Sequence, residues 1–250
     1  MHDAVHLATF EQYCLVAALS FIAAIVGGVA GYGTGLILPP VLLPIVGSEA
    51  VVPIISLSAL LTNASRLIAL RDKFDVRNAI MLASCALPTC IGGAYVYTTL
   101  GGKTVTIVIG LALIVLVPLR RLASKAQWRL TTPGVAVAGS GYGLLVGATS
   151  GSGVVLLSIL LAAGLRGSAV IATDAGISLF LGLAKTAVFQ TAGALPASAW
   201  IMAILIGCCA TPGAFLAKRL TAHLPIHVHT DILDGVVILG GALLMIQAMW

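Results

Sequence analysis

The chain has 250 residues, of which 60% are hydrophobic and only 8% charged, with a net charge of +5. Ordinary soluble domains are about 25% charged, so this composition excludes a water-covered globular fold and predicts an all-α, polytopic integral membrane protein. The basic excess falls in loops between apolar stretches, so it is membrane topology rather than a nucleic-acid footprint.

A bilayer span needs about 20 apolar residues. The first such stretch, 11–30, follows a non-basic start, Met1-His2-Asp3-Ala4, that is not expected to be a cleavable signal. It runs into Gly31-Tyr32-Gly33-Thr34-Gly35 and then a shorter apolar piece at 33–46, a half-helix, a re-entrant segment or the continuation of a broken first helix. The span at 50–70 carries Ser56, Asn63 and Arg66, a polar stripe at helical spacing. Spans at 77–98 and 103–119 follow, then the most polar loop of the chain, 119–133, at its midpoint.

Beyond that loop come a span at 133–150, the motif Thr149-Ser150-Gly151-Ser152-Gly153, a second short piece at 153–164, and spans at 168–190, 197–217 and 231–249. The span at 168–190 contains two charges, Asp174 and Lys185. A charge at a helix centre costs about 2.5–3.5 kcal/mol on insertion scales, so each is a functional candidate. Eleven residues put them on one face but roughly 16 Å apart, too far to pair on one helix. Asp174 is then a coupling candidate, a partner for a cation on another helix, or an interfacial residue. Lys185 either lines a site or snorkels.

The two glycine motifs align at an offset of 118, Gly93 meets Gly213 at 120, and Arg66 meets Lys185 at 119. These matches predict one transmembrane domain built from two four-span repeats, about 13–120 and 133–250. Counting full spans gives parallel repeats; an inverted arrangement requires one short piece per half to cross. A duplicated glycine break points to a transporter's substrate site, because unwound backbone leaves free dipoles inside the membrane. Half-helices starting at Thr34 and Ser152 would offer positive ends and hydroxyls to an anion. The expected substrate-binding set is Gly31, Gly33, Thr34, Gly35, Asn63, Arg66, Gly151, Ser152, Gly153 and Lys185, with Asp174 as coupling candidate. Close packing through small residues competes with this reading.

Seven basic residues in the loops 71–77 and 120–130, against four on the other side, favour those loops facing the cytoplasm, an inference that changes if 33–46 or 153–164 crosses fully. His223, His227 and His229 lack a matching Cys or carboxylate set, so no metal site is expected. The five cysteines lie in spans and behave as small hydrophobes. With no HExxH, GxSxG or P-loop pattern, neither an enzyme, a cofactor nor an ATP-driven pump is expected.

The ordered set Gly27-Gly28-Val29-Ala30-Gly31-Tyr32-Gly33-Thr34-Gly35, Pro39, Leu42-Leu43, Gly47, Thr62-Asn63-Ala64-Ser65-Arg66 and Phe74-Asp75-Val76-Arg77, with Gly151-Ser152-Gly153, Ala172-Thr173 and Gly193-Ala194-Leu195-Pro196 in the second half, resembles the TauE/SafE sulfite-exporter family of membrane transporters. The resemblance covers nearly the whole chain. It departs at Pro196-Ala197-Ser198-Ala199, where a polar loop is usual, and at Asp174, where a small hydroxyl residue is common. The family implies a multi-pass protein of the cell (inner or plasma) membrane that moves small anions, commonly sulfur-containing ones such as sulfite or sulfonates, by alternating access. Its partners are then the anion and the bilayer, with homo-oligomerisation left open. An anion channel, and a membrane protein with an assembly role, are the competing classes; a channel needs a continuous polar pore, whereas the polar residues here are sparse and clustered.

Overall fold

A computed structural model describes residues 9–30, 34–125 and 132–220, with 238 and 242. Its elements are α-helices α1 (Phe10–Ala30), α2 (Thr34–Val46), α3 (Ser48–Ala69), α4 (Val76–Thr99), α5 (Gly102–Lys125), α6 (Thr132–Ala148), α7 (Gly153–Ala162), α8 (Ser168–Thr191) and α9 (Ala197–Leu220), plus a 3-10 turn at Arg71–Lys73. No strand occurs among the described residues. The span expected at 231–249, the histidine cluster, Gly31 and Gly33 lie outside the described residues.

Every other expected segment is a helix within a few residues of its sequence bounds. Composition explains this, because apolar runs inside lipid must satisfy their own backbone groups. Three helices, α3, α4 and α8, are long and apolar enough to cross a bilayer by length and composition, among the described residues. The outer faces are apolar too: Phe10, Ile68, Ile80, Val137 and Ile201 are all exposed. In water such a surface would be an aggregation hazard; against acyl chains it is the expected exterior. The short helices have their own causes. In α2, Pro39, Pro40 and Pro44 remove backbone donors, and Gly47 at φ 79° turns the chain into α3. The ten residues of α7 span about 15 Å, half a hydrocarbon core.

Helices of one half pack chiefly on helices of the other. α4 lies along α6 and α1 along α9; α3 packs on both α8 and α9, and α4 on α8. The α4–α6 seam is a ladder of small residues. Gly139 faces Leu82 and Cys85, Gly143 faces Ala86 and Thr89, and Gly147 faces Cys90 and Ala94. A Cβ at Gly143 would strike the Ala86 carbonyl, and one at Gly147 the Cys90 carbonyl. Without a hydrophobic drive between helices in lipid, such close backbone approach is what holds a pair together.

The same contacts fix helix directions. Positions rise together along α4 and α6, so the two run the same way. α8 also runs with α4: Thr173 Oγ1 accepts from the Asp75 N–H at 3.1 Å, Gly176 abuts Phe74, and the Cys90 thiol reaches the Leu181 carbonyl. α3 and α8 run oppositely, since Leu60 meets Gly182 while Arg66 meets Asp174. Because α6 and α8 share a direction, the segment between them, which contains α7, returns toward the end where α6 began.

Candidate functional site

The two glycine motifs come together. Gly151 has φ 79°, a left-handed conformation that only glycine adopts without strain. A Cβ added to Gly35 would lie 3.0 Å from the Gly151 nitrogen, and one on Gly151 would strike the Leu36 side chain and lie 2.9 Å from the Gly35 carbonyl oxygen. A side chain at Gly151 is excluded by backbone conformation and contact together, and one at Gly35 would require the Gly151 backbone to shift. α7 begins at Gly153, so one helix N-terminus, with unpaired N–H groups and a partial positive charge, opens beside this contact, and α2, described from Thr34 onward, lies alongside it. Ser152, at the N-cap of α7, makes no side-chain capping bond.

A cavity of about 160 Å³ surrounds the contact. Thr34, Gly35, Asn63, Arg66, Gly151, Ser152, Gly153, Asp174 and Lys185 all line it. Every expected site residue within the described part of the chain is therefore brought to one place. Tyr142, Thr149, Ser150 and Ser178 also line the cavity and were not expected there as site residues.

Lys185 is 4% exposed, so it does not snorkel. Its Nζ donates to the Val146 carbonyl at 2.5 Å and the Thr149 carbonyl at 2.7 Å, both at the C-terminal end of α6. There the helix leaves carbonyls without intrahelical donors and carries partial negative charge. The ammonium also stands 5.5 Å from the Phe189 ring centroid, a cation–π distance. No carboxylate pairs with it among the described residues. Dipoles, not an ion, hold this charge, and one of its three N–H donors has no protein acceptor among the described residues.

Arg66, the counterpart of Lys185 at the 119 offset, is held differently. Its Nη2 meets Asp174 Oδ2 at 3.3 Å and its Nη1 donates to Asn63 Oδ1 at 3.3 Å. Asp174 is 2% exposed, and its partner is a cation on another helix. As helical spacing requires, Asp174 and Lys185 do not meet.

Four cavity-lining residues carry a buried oxygen with no hydrogen-bond partner among the described residues: Tyr142 Oη, Ser150 Oγ, Ser152 Oγ and Asp174 Oδ1. Each such atom costs about 1–3 kcal/mol if left unsatisfied. An aromatic flanked by glycines in an apolar span reads as core, which is why Tyr142 escaped the sequence reading. The signal was its hydroxyl, since a buried Tyr O–H needs a partner.

A cavity lined by charged and hydroxyl side chains thus lies inside a bundle that includes lipid-length helices. The chain belongs to the sulfite exporter TauE/SafE family, whose profile matches residues 16–244. Neither a curated protein nor a solved structure matches it. The family is one of membrane transporters, and the chain's lipid-length apolar helices are those of a membrane protein.

Proposed function

We propose that the protein is a secondary transporter of a small anion, sulfite or a related sulfonate, in the cell membrane, working by alternating access and without catalysis or a cofactor. One observation carries this reading: an ammonium without a carboxylate partner among the described residues shares a cavity with the N-terminus of α7. Each favours negative charge, and in a low-dielectric site their effects are stronger than in water.

The two halves are proposed to be inverted repeats. Support comes from the exchange of packing partners, α4 with α6 and α1 with α9, and from the opposed directions of the equivalent helices α3 and α8. The short helices α2 and α7 then each contribute the odd return pass that inversion needs. We assign the loop at 71–77 to the cytoplasm from its basic residues; the count changes in one respect, because Thr173 and Gly176 of α8 meet Asp75 and Phe74 and so Arg166 falls at the same end as this loop and not opposite it. Labelling of a cysteine at Asp72 by an impermeant thiol reagent in intact cells, with native cysteines removed, would overturn that orientation.

The functional test is sulfite uptake by the purified protein in proteoliposomes. Saturable uptake that accelerates when unlabelled sulfite is preloaded inside is expected of alternating access. Uptake that never saturates and shows no such exchange indicates a channel, and no uptake of sulfite or sulfonates removes the anion reading.

A further inference from the structure

The unsatisfied oxygens in the cavity are not all of one kind. The hydroxyls of Tyr142, Ser150 and Ser152 can each donate, and Lys185 keeps one spare N–H. Asp174 Oδ1 cannot donate: a carboxylate whose other oxygen engages Arg66 is an acceptor only. All four residues are more than nine-tenths buried and line one space. Tyr142, Ser152, Ser178 and Asp174 line the same cavity, and the Tyr142 oxygen has no hydrogen-bond partner among the described residues. A plain oxyanion would satisfy the donors and leave Asp174 Oδ1 bare, facing negative charge.

We infer that the cavity selects an anion carrying an O–H donor of its own, with the oxyanion end held by Tyr142, Ser150, Ser152 and Lys185 and the O–H donated to Asp174 Oδ1. The ligand class is a monovalent hydroxyl-bearing oxyanion, such as hydrogen sulfite or a short hydroxyalkyl sulfonate, in preference to sulfate or a simple alkyl sulfonate. The inference rests on the anion-transport reading and adds the origin of its selectivity. The physical ground is asymmetric. A site with a buried acceptor rejects an analogue lacking the matching donor far more strongly than a greasy pocket rejects an extra group.

The test compares 2-hydroxyethanesulfonate with ethanesulfonate, which differ by one hydroxyl, and uses sulfite as reference. Binding to the purified full chain is read from ligand-dependent thermal stabilisation. The wild-type protein is expected to bind the hydroxylated probe roughly tenfold or more tightly. In Asp174→Asn, Arg66 claims the amide oxygen and turns the amide N–H₂ into the cavity, so the acceptor becomes a donor and the preference collapses to near unity. Tyr142→Phe removes a donor to the anionic end and is expected to weaken both probes by a similar factor, leaving their ratio intact. Equal wild-type affinities, or a preference that survives Asp174→Asn, overturn the inference while leaving anion transport standing. Binding of sulfite with neither sulfonate also overturns it. Failure of all three anions to bind overturns the transport reading, and this inference with it. The wild-type ratio decides the matter even where Asp174→Asn does not assemble.

Discussion

Replacing Lys185 with Met separates the two roles its position gives it. The substitution keeps an unbranched apolar stem beside Phe189 and removes the ammonium. Two charge-assisted bonds, to the carbonyls of Val146 and Thr149, are lost, each worth about 1.5–3 kcal/mol. Against this, the protein no longer desolvates an ammonium, a penalty of several kcal/mol. These terms largely cancel. What remains is a pair of α6 carbonyls deprived of their donor, about 1–3 kcal/mol each, partly relieved by relaxation of the helix end. The expected net destabilisation is about 2 kcal/mol, enough to lower the thermal midpoint but not to prevent assembly. Transport should fall by far more than stability suggests, by about a hundredfold or greater, because the cavity loses its uncompensated positive charge. Lys185→Arg restores the charge with a planar fork that cannot reproduce the same two bonds, so partial activity is expected. The assays are thermal unfolding in detergent and sulfite uptake into proteoliposomes at matched protein content. A Lys185→Met protein that carries sulfite at the wild-type rate would refute the charge assignment. An unchanged thermal midpoint would refute the capping argument instead.

Gly151→Ala should abolish uptake in a protein that still reaches the membrane: the φ of 79° disfavours any Cβ, and that Cβ would strike Leu36 in the opposing motif. Gly143→Leu should prevent α4 and α6 from closing, with a loss of several kcal/mol, read as a collapse of folded yield in detergent; folded yield equal to wild type would show that the seam is looser than described. Asp75→Ala should cost about 1 kcal/mol, since the carboxylate caps α4 through the Asn78 N–H and side-chain amide. Those bonds hold its pKa below the ordinary 3.8, so its contribution is present above that value and disappears as the pH falls through the lower folded-state value; unfolding midpoints of wild type and Asp75→Ala should differ at neutral pH and converge in strong acid.

Much of this architecture was legible because lipid imposes it. Segment length and glycine position marked α2 and α7 as short apolar pieces and set the start of α7 next to Ser152, since a chain that leaves the helix inside a membrane needs residues permitting it. The gathering of Arg66, Asn63, Asp174 and Lys185 was anticipated as candidates, but not their partnerships. Helical periodicity says which residues share a face; it does not say which helix that face meets. Arg66 and Asp174 are 108 residues apart, and nothing local links them. The α4–α6 seam stayed hidden for the same reason: Gly139, Gly143 and Gly147 recur at four-residue spacing, yet a ladder has meaning only once Leu82, Ala86 and Cys90 are opposite. Lys185 was read as a charge for a ligand, and its bonds to the end of α6 depend on where that helix stops.

The seam between α4 and α6 has a consequence for biosynthesis. Ala86, Cys90 and Ala94 are fully covered or nearly so, and what covers that face of α4 is a helix translated only after the midpoint loop. Until then, α4 presents lipid with a shallow groove of small residues shaped for another backbone. The nascent first half is thus an open form with its docking face vacant, held by insertion alone. A gene cut between 126 and 131 would yield two polypeptides whose main helix-packing partners lie on each other, and assembly would require that they meet in one membrane. Whatever machinery inserts this chain must deliver α6 beside α4 before any other small-residue helix claims the groove.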